Sequence, residues 1–437
     1  MARAMKDSGI EWIGVIPEEW KVVRGKTVFR QRNEKGNSIC LQLLSPTQKY
    51  GVVPQTEYEQ LSGMKAVKLD VAADYAQLKT IHEGDYCISL RSFQGGFEYS
   101  KYEGVVSPAY QVFYPYIGCN EGYYRYLFKD KTFIDKMNSF TLSLRDGKNI
   151  AFSDFANTYI PFPPVGEQAS IAAYLDTECA RIDAVIEKTR ASIEEYKKLK
   201  QSVITQAVTK GIRPGRKLKD SGIEWIGEIP EEWEKKKLGQ LCSFHNGDRS
   251  SNYPSPEDFT DTGIPFIGAD ALNGRYVDTT ASKHISQEKY DNMGGLKIKH
   301  GDILYTLRGS TIGKNAYSDF DGGAVASSLM GIRVASNHVT PVFIYYWMNS
   351  GQEFIQRDLC INGSTAPNLS AEDVKQYILF IPPITEQFGI INYLDNMIPE
   401  IDALIEKKNL IISEIESYKK SLIFEYVTGK KEVAEVV

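Results

Sequence analysis

A chain of 437 residues exceeds one ordinary hydrophobic core, and at roughly 100 to 200 residues per domain it predicts two to four units. Apolar residues at 42% and charged residues at 24% exclude a fibrous or disordered protein, and no run of about 20 apolar residues offers a membrane span. The net charge of -5 argues as a sum against a nucleic-acid binder, yet residues 21–160 carry 18 basic against 14 acidic side chains and residues 234–380 carry 14 against 16.

The opening MARAMKDSG lacks the apolar core of a signal peptide, so the expected location is cytoplasmic. Residues 6–20 read KDSGIEWIGVIPEEW and residues 219–233 read KDSGIEWIGEIPEEW; the fifteen positions differ only at Val15 and Glu228. So close an identity at a separation of 213 residues is an internal duplication. Trp12, Trp20, Trp225 and Trp233 lie in the repeated phrase and are expected to be packing anchors rather than base-stacking platforms.

The stretches that follow the two phrases are mixed and strand-rich. His82-Glu83-Gly84-Asp85 turns into a strand ending at Leu90-Arg91, and His300-Gly301-Asp302 into one ending at Leu307-Arg308. Residues 123–137 and 343–357 predict aromatic-rich helices that share Phe133-Ile134 and Phe354-Ile355. Asn149-Ile150 with Asp154 matches Asn368-Leu369 with Asp373, and Ser370-x-x-Asp373 has the form of a capping box, which favours a local turn or capping role for both asparagines.

Each block closes on P-P-x-x-E-Q, at residues 163–168 and 382–387, and from there the halves align without a gap at a separation of 219. In the second copy Ile401, Leu404, Ile411, Ile415, Tyr418 and Leu422 fall at spacings of three, four or seven, with Lys408 as a polar interruption. The first copy offers Ile182, Val185, Thr189, Ser192, Tyr196, Leu199 and Val203. Such helices need a partner, and the natural one is the other copy in an antiparallel coiled coil, a rod of roughly 45 to 60 Å. The expected fold is α+β with an internal pseudo-twofold duplication: variable domains at 1–160 and 213–380, repeated helical segments at 161–212 and 381–437.

Several chemistries find no support. Cys40, Cys87, Cys119, Cys179, Cys242 and Cys360 are scattered without zinc spacing and read as reduced core thiols. Neither F-x-G-x-G nor N-P-P-[YF] is present to bind S-adenosylmethionine and a flipped adenine, and the five histidines suggest no catalytic pairing. Gly309-x-x-x-Gly313-Lys314-Asn315 has one residue too few between its glycines, and no Ser or Thr after the Lys, for a phosphate loop. The chain is expected to be non-catalytic and to hold no metal.

Two divergent blocks, each introduced by G-I-E-W-I-G-x-I-P-E-E-W and closed by P-P-x-x-E-Q, x-x-Y-L-D and I-D-A-[VL]-I-E-K, resemble the specificity subunit of a type I restriction-modification enzyme over nearly the whole chain. The resemblance implies that each block is a target recognition domain reading one half of a bipartite, asymmetric site in double-stranded DNA. It implies that the helices are spacer and docking surface for two methyltransferase subunits, on which motor-nuclease subunits then assemble. S-adenosylmethionine, ATP and Mg would sit on those partners, with no cofactor on this chain. Alternatives are a recognition subunit of a related system with a fused methyltransferase-nuclease partner, or a non-reading scaffold that captures methyltransferase subunits.

Base readout needs directional donors and acceptors on exposed loops, whereas phosphate contacts need only charge and placement. In the second block the loop at 308–315 offers Arg308, Ser310, Thr311, Lys314 and Asn315; Arg249 at 246–250 and the run Asn362-Gly363-Ser364-Thr365 are weaker candidates. The corresponding places in the first block are Arg91 and Gln94, then Arg145 and Lys148. The competing role for Arg91 and Arg308 is an ion pair at a strand end.

Overall fold

The computed structural model of the chain describes residues 3–35, 42–65, 77–88, 96–140, 150–361 and 368–433. Two compact units emerge, Met1–Thr189 with Leu410–Val437, and Arg190–Asn409. Neither long helix belongs to one unit, because Val165–Lys210 and Ile384–Val427 each contribute to both.

Each unit contains one copy of the repeated phrase, which folds as a hairpin: Met5–Asp7 with Val15–Pro17, and Leu218–Asp220 with Glu228–Pro230. Its turn is written in the side chains. Asp7 accepts the Gly9 N–H at 2.9 Å and Ser8 Oγ accepts that of Ile10 at 3.1 Å, while Gly9 and Gly14 take φ of 69°, a region in which a Cβ is strained. Asp220 and Ser221 repeat these bonds to Gly222 and Ile223.

The entry strand of each variable block pairs with its exit strand. Lys21–Arg24 runs antiparallel to Tyr159–Phe162 with Lys21 opposite Phe162, and Glu234–Lys237 runs antiparallel to Ile378–Ile381 with Glu234 opposite Ile381. Between them lies a four-stranded antiparallel sheet of the same topology in both units. The spatial order is Phe29–Arg32, Gln111–Pro115, Tyr86–Ile88, Phe97–Tyr99 in the first, and Cys242–Asn246, Leu329–Val334, Ile303–Thr306, Asn315–Tyr317 in the second. Gly84 and Gly301 hold φ near 90° just ahead of the inner strands, as a Gly-Asp turn requires.

The cores differ in chemistry. In the first unit Phe29, Tyr86, Phe97 and Phe113 of the sheet meet Phe128, Phe133 and Phe155 in edge-on and tilted contacts, the favoured aromatic geometries. In the second unit a further four-stranded sheet, Phe259–Thr260, Lys283–Ile285, Ile264–Ile267 and Ala324–Val325, joins the core, its last two strands parallel. The first unit has instead a hairpin, Leu44–Thr47 with Gly51–Pro54, and an antiparallel strand pair, Lys79–Ile81 with Gly104–Val106, which close over Cys87 and Val112.

The expected aromatic helices each break in two. Glu121–Leu127 and Lys131–Asn138 replace 123–137, and Pro341–Met348 and Gly351–Cys360 replace 343–357, because Asp130 and Ser350 start the second helix of each pair. Counting from those starts, Phe133 corresponds to Glu353, so the match of Phe133-Ile134 to Phe354-Ile355 is out of step by one.

The long helices pair antiparallel within each unit. In the first, Tyr174 and Tyr426 approach to 4.5 Å between ring centroids and Lys419 reaches both oxygens of Asp183 at 2.7 Å. In the second, Lys408 lies 5.5 Å from the Tyr196 ring centroid and Lys200 reaches both oxygens of Asp402 at 2.7 Å. The seam corrects the expected one in a regular way. Ile182, Ile401 and Leu422 are buried as expected, but Ile186, Ile193 and Ile412 are buried where Val185, Ser192 and Ile411 had been placed. Leu404 is 43% exposed and Tyr418 53% exposed. A heptad fixes alternate spacings of three and four; with apolar residues at both neighbouring positions, the pattern leaves their order open.

Candidate nucleic-acid interface

The repeated motifs are occupied in joining each block to its helix. Glu167, at the start of the first long helix, accepts the Trp20 indole N–H at 2.8 Å and the Arg3 guanidinium at 2.5 and 2.8 Å. Glu386 accepts the Trp233 indole at 3.4 Å and Arg216 at 3.2 Å. Gln168 accepts the Asn120 N–H and donates to Pro163 O, both at 2.8 Å; Gln387 does the same with Thr340 at 2.9 Å and Pro382 at 3.0 Å. The Asp of each Y-L-D run anchors the domain's helix: Asp176 accepts Tyr126 OH at 2.6 Å beside Arg125, and Asp395 accepts Tyr346 OH at 2.5 Å and Arg275 at 2.7 Å. Trp20 and Trp233 are fully buried, as packing anchors are.

The residues that do not repeat supply the open polar surface. In the second unit the loop at 308–315 links two strands of the main sheet, closed by the Gly313 N–H to Thr306 O and the Thr306 N–H to Lys314 O, both at 2.9 Å. Gly309 and Gly313 take φ of 83° and 86°. Arg308, Ser310 and Thr311 are exposed. Arg308 donates to Asn368 Oδ1 at 3.1 Å, so its partner is a neutral amide, and no carboxylate pairs with it among the described residues. Asn368 therefore has a local role, while the cap itself is Ser370, whose Oγ accepts the Asp373 N–H at 3.1 Å.

Arg249, 59 residues away in sequence, comes near enough to Arg308 to feel its charge. Burial first and the like charge of Arg308 second push its pKa down, and its Nε reaches a carbonyl, Ser327 O, at 3.4 Å. Arg216, Arg275, Arg333 and Arg357 all hold carboxylates, so this pair is distinguished by its neutral partners. The loop carrying Arg249 is fixed by Asp248, which accepts the N–H groups of Ser250 at 2.7 Å and Gly294 at 2.9 Å; these bonds hold its carboxyl below the usual range against the opposing effect of burial.

Two expected contacts sit elsewhere. Asn315 is buried: its amide donates to Gly313 O at 3.1 Å and its Oδ1 accepts from Asn349 at 2.8 Å, because the whole strand that leaves the loop, Asn315–Tyr317, is covered and Asn315 meets the end of the helix Pro341–Met348. Lys314 is partly buried and donates to Ala269 O at 2.8 Å and Asn273 Oδ1 at 2.7 Å, bracing the loop base. Arg91, Gln94, Arg145 and Lys148, together with Asn149 and the run at 362–365, lie outside the described residues.

A buried polar group beneath the loop was not visible in the sequence. Glu353, fully buried, accepts Tyr305 OH at 2.5 Å and Arg357 at 3.2 Å, and burial pushes its carboxyl up to about 7. Glu and Arg four apart on a helix ordinarily mark a solvated face. The burial of Cys87 and Cys242 raises their thiol pKa values, that of Cys242 to about 12, as inert core thiols require. Among the described residues no three His, Cys, Asp or Glu side chains are placed to hold a metal ion, and no helix is long and apolar enough to cross a membrane.

A family model for the type I restriction modification DNA specificity domain matches the chain twice, over residues 17–195 and 230–416. The type I restriction enzyme MjaVIII specificity subunit of Methanocaldococcus jannaschii is 26% identical over 302 residues, covering 67% of this chain and 67% of that protein. The EcoBI specificity subunit of Escherichia coli is 24% identical over 303 residues, covering 65% of this chain and 60% of that one. A chain from a solved type I R-M system, described for its complex assembly and conformational transition, superposes with a TM-score of 0.68 at 17% identity, covering 95% of this chain and 99% of that one; the likeness is one of fold.

Proposed function

The chain belongs to the type I restriction-modification DNA specificity family, and from that premise we propose that it is the non-catalytic, DNA-reading subunit of a type I restriction-modification complex. Each variable block reads one half of a bipartite site in double-stranded DNA, and because the blocks differ the site is asymmetric. The repeated helices dock two methyltransferase subunits, and motor-nuclease subunits join them; S-adenosylmethionine, ATP and Mg act on those partners.

The observation that carries the reading is that Arg249 and Arg308, near enough for the charge of Arg308 to act on Arg249, are both exposed and without a carboxylate partner among the described residues. Neighbouring positive charges without carboxylates favour a nearby anion, and an arginine guanidinium fits either a phosphate or the O6 and N7 edge of guanine. Ser310 and Thr311 add hydroxyls beside them, and Lys314 supports the loop. Docking is supported by apolar side chains left outside the seam: Val185, Ile411 and Tyr418 in the first unit, Leu199 and Leu404 in the second. Exposed apolar rows on helices are the surfaces that partner helices cover.

The test is a competition titration of the complex with its methyltransferase subunits, against random duplex, as salt is raised. A reader retains a sequence that competes better than bulk DNA, by a factor of about 10³ or more. If none does, the chain is a scaffold. Mapping methylated adenines genome-wide in a host expressing the system then gives the site.

A further inference from the structure

The loop at 308–315 rests on a side chain that is not part of it. Arg357, in the middle of the helix Gly351–Cys360, is largely buried, and its guanidinium occupies the space where a Cβ on Gly313 would be. Gly313 has no side chain and a φ of 86°, so its backbone can lie against the guanidinium; any other residue would collide and be strained. Arg357 is itself fixed, through Glu353 at 3.2 Å, which accepts Tyr305 OH at 2.5 Å. Tyr305 lies on the strand Ile303–Thr306 that delivers the chain to the loop. The network thus ties strand, helix and loop end together around one buried carboxylate, at the helix position that Phe133 holds in the first unit, three residues after the helix start.

We infer that Arg357, held by Glu353 and Tyr305, is a positioning residue for the loop at 308–315, setting where Arg308, Ser310 and Thr311 stand and hence the base preference of one half of the target. The inference rests on the DNA-reading function proposed above. A surface arginine contributing only charge would lower affinity for all sequences alike; a positioning residue alters preference at the positions its loop reads and leaves the other half-site untouched.

The groups facing the Glu353 carboxyl are Arg357 and Asp358 from its own helix, Tyr305 from the sheet and Tyr377 from the segment entering the strand Ile378–Ile381. Its carboxyl, raised to about 7 by burial, is ionised above that pH, when it holds Arg357, and neutral below it, when the ion pair is lost. Preference at this half-site therefore falls as pH drops through 7.

The experiment selects DNA from a randomised duplex library with the full chain in its methyltransferase complex, the half read by the second block being identified with Arg308→Ala. Arg357→Ala and Gly313→Ala each reduce base preference in that half by about five- to a hundredfold, with the other half unchanged. Gly313→Ala costs less preference once Arg357 is Ala, since the collision has gone and only the strain of a Cβ at φ 86° remains. Glu353→Gln removes the pH dependence of that half between pH 6 and 8. If Arg357→Ala does not fold, as judged by thermal denaturation, Gly313→Ala and Glu353→Gln decide on the same readouts. Unchanged preference in folded variants, or equal loss in both halves, overturns the inference. A wild-type complex that selects no sequence at all overturns instead the reading on which it rests.

Discussion

The two units solve the same folding problem with different interiors. In the first, Asp85 of the Gly-Asp turn is paired with Arg32 on an edge strand of the sheet; in the second, Asp302 is paired with Arg333 on the neighbouring inner strand. Asp176 takes an arginine from the helix beside it, Arg125, while Asp395 takes Arg275 from a distant loop. Phe133 fills one core where Glu353 and its partners fill the other. What is held constant is the acceptor, a carboxylate at a fixed place in the frame; the donor is free to come from wherever the variable chain passes. A duplicated frame can thus diverge inside without losing its outline.

The largest effect should come from the part of the frame that did not diverge. Trp20→Ala and Trp233→Ala each remove a fully buried indole, costing about 3 to 5 kcal/mol in chemical denaturation, and the two costs should agree within about 1 kcal/mol. Unequal costs would break the equivalence of the units. In the helices, Ile412→Ala should cost about 2 to 4 kcal/mol and Ile411→Ala, one residue away but outside the seam, less than about 1. The reverse ranking would restore the seam first expected from sequence. Tyr126→Phe and Tyr346→Phe remove matching hydrogen bonds to Asp176 and Asp395, at about 1 to 2 kcal/mol each. Smallest are Lys200→Ala and Lys419→Ala, which break partly exposed ion pairs worth at most about 1 kcal/mol, a difference that should shrink further in 1 M salt.

Much of the frame was legible in the sequence. Duplication marked the repeated phrase, whose hairpin the structure then showed, together with the Gly-Asp turns and the long helices, because turn side chains and heptads act locally. The seam was half legible: 182 and 401 follow from the repeat of seven, but choosing Ile186 over Val185 or Ile412 over Ile411 depends on which face meets the other helix. The interface was less so. Arg308 could be named from the loop chemistry, but its proximity to Arg249 is a tertiary fact, as is the burial of Asn315, whose strand is covered on both faces by elements distant in sequence. Glu353 was hidden by its own spacing to Arg357, which on most helices means solvent.

The ribbon that ties each block's entry to its exit sets the terms on which these blocks can change. Lys21 opposite Phe162 and Glu234 opposite Ile381 bring the two ends of each insertion to within one strand spacing, about 5 Å, whatever lies between. Lengthening the intervening chain adds only a logarithmic loop entropy and leaves the attachment points unmoved. Each block is in effect a cartridge on a standard socket: its content can be replaced wholesale, longer or shorter, while the helix that begins three residues after the ribbon in either copy need not shift at all.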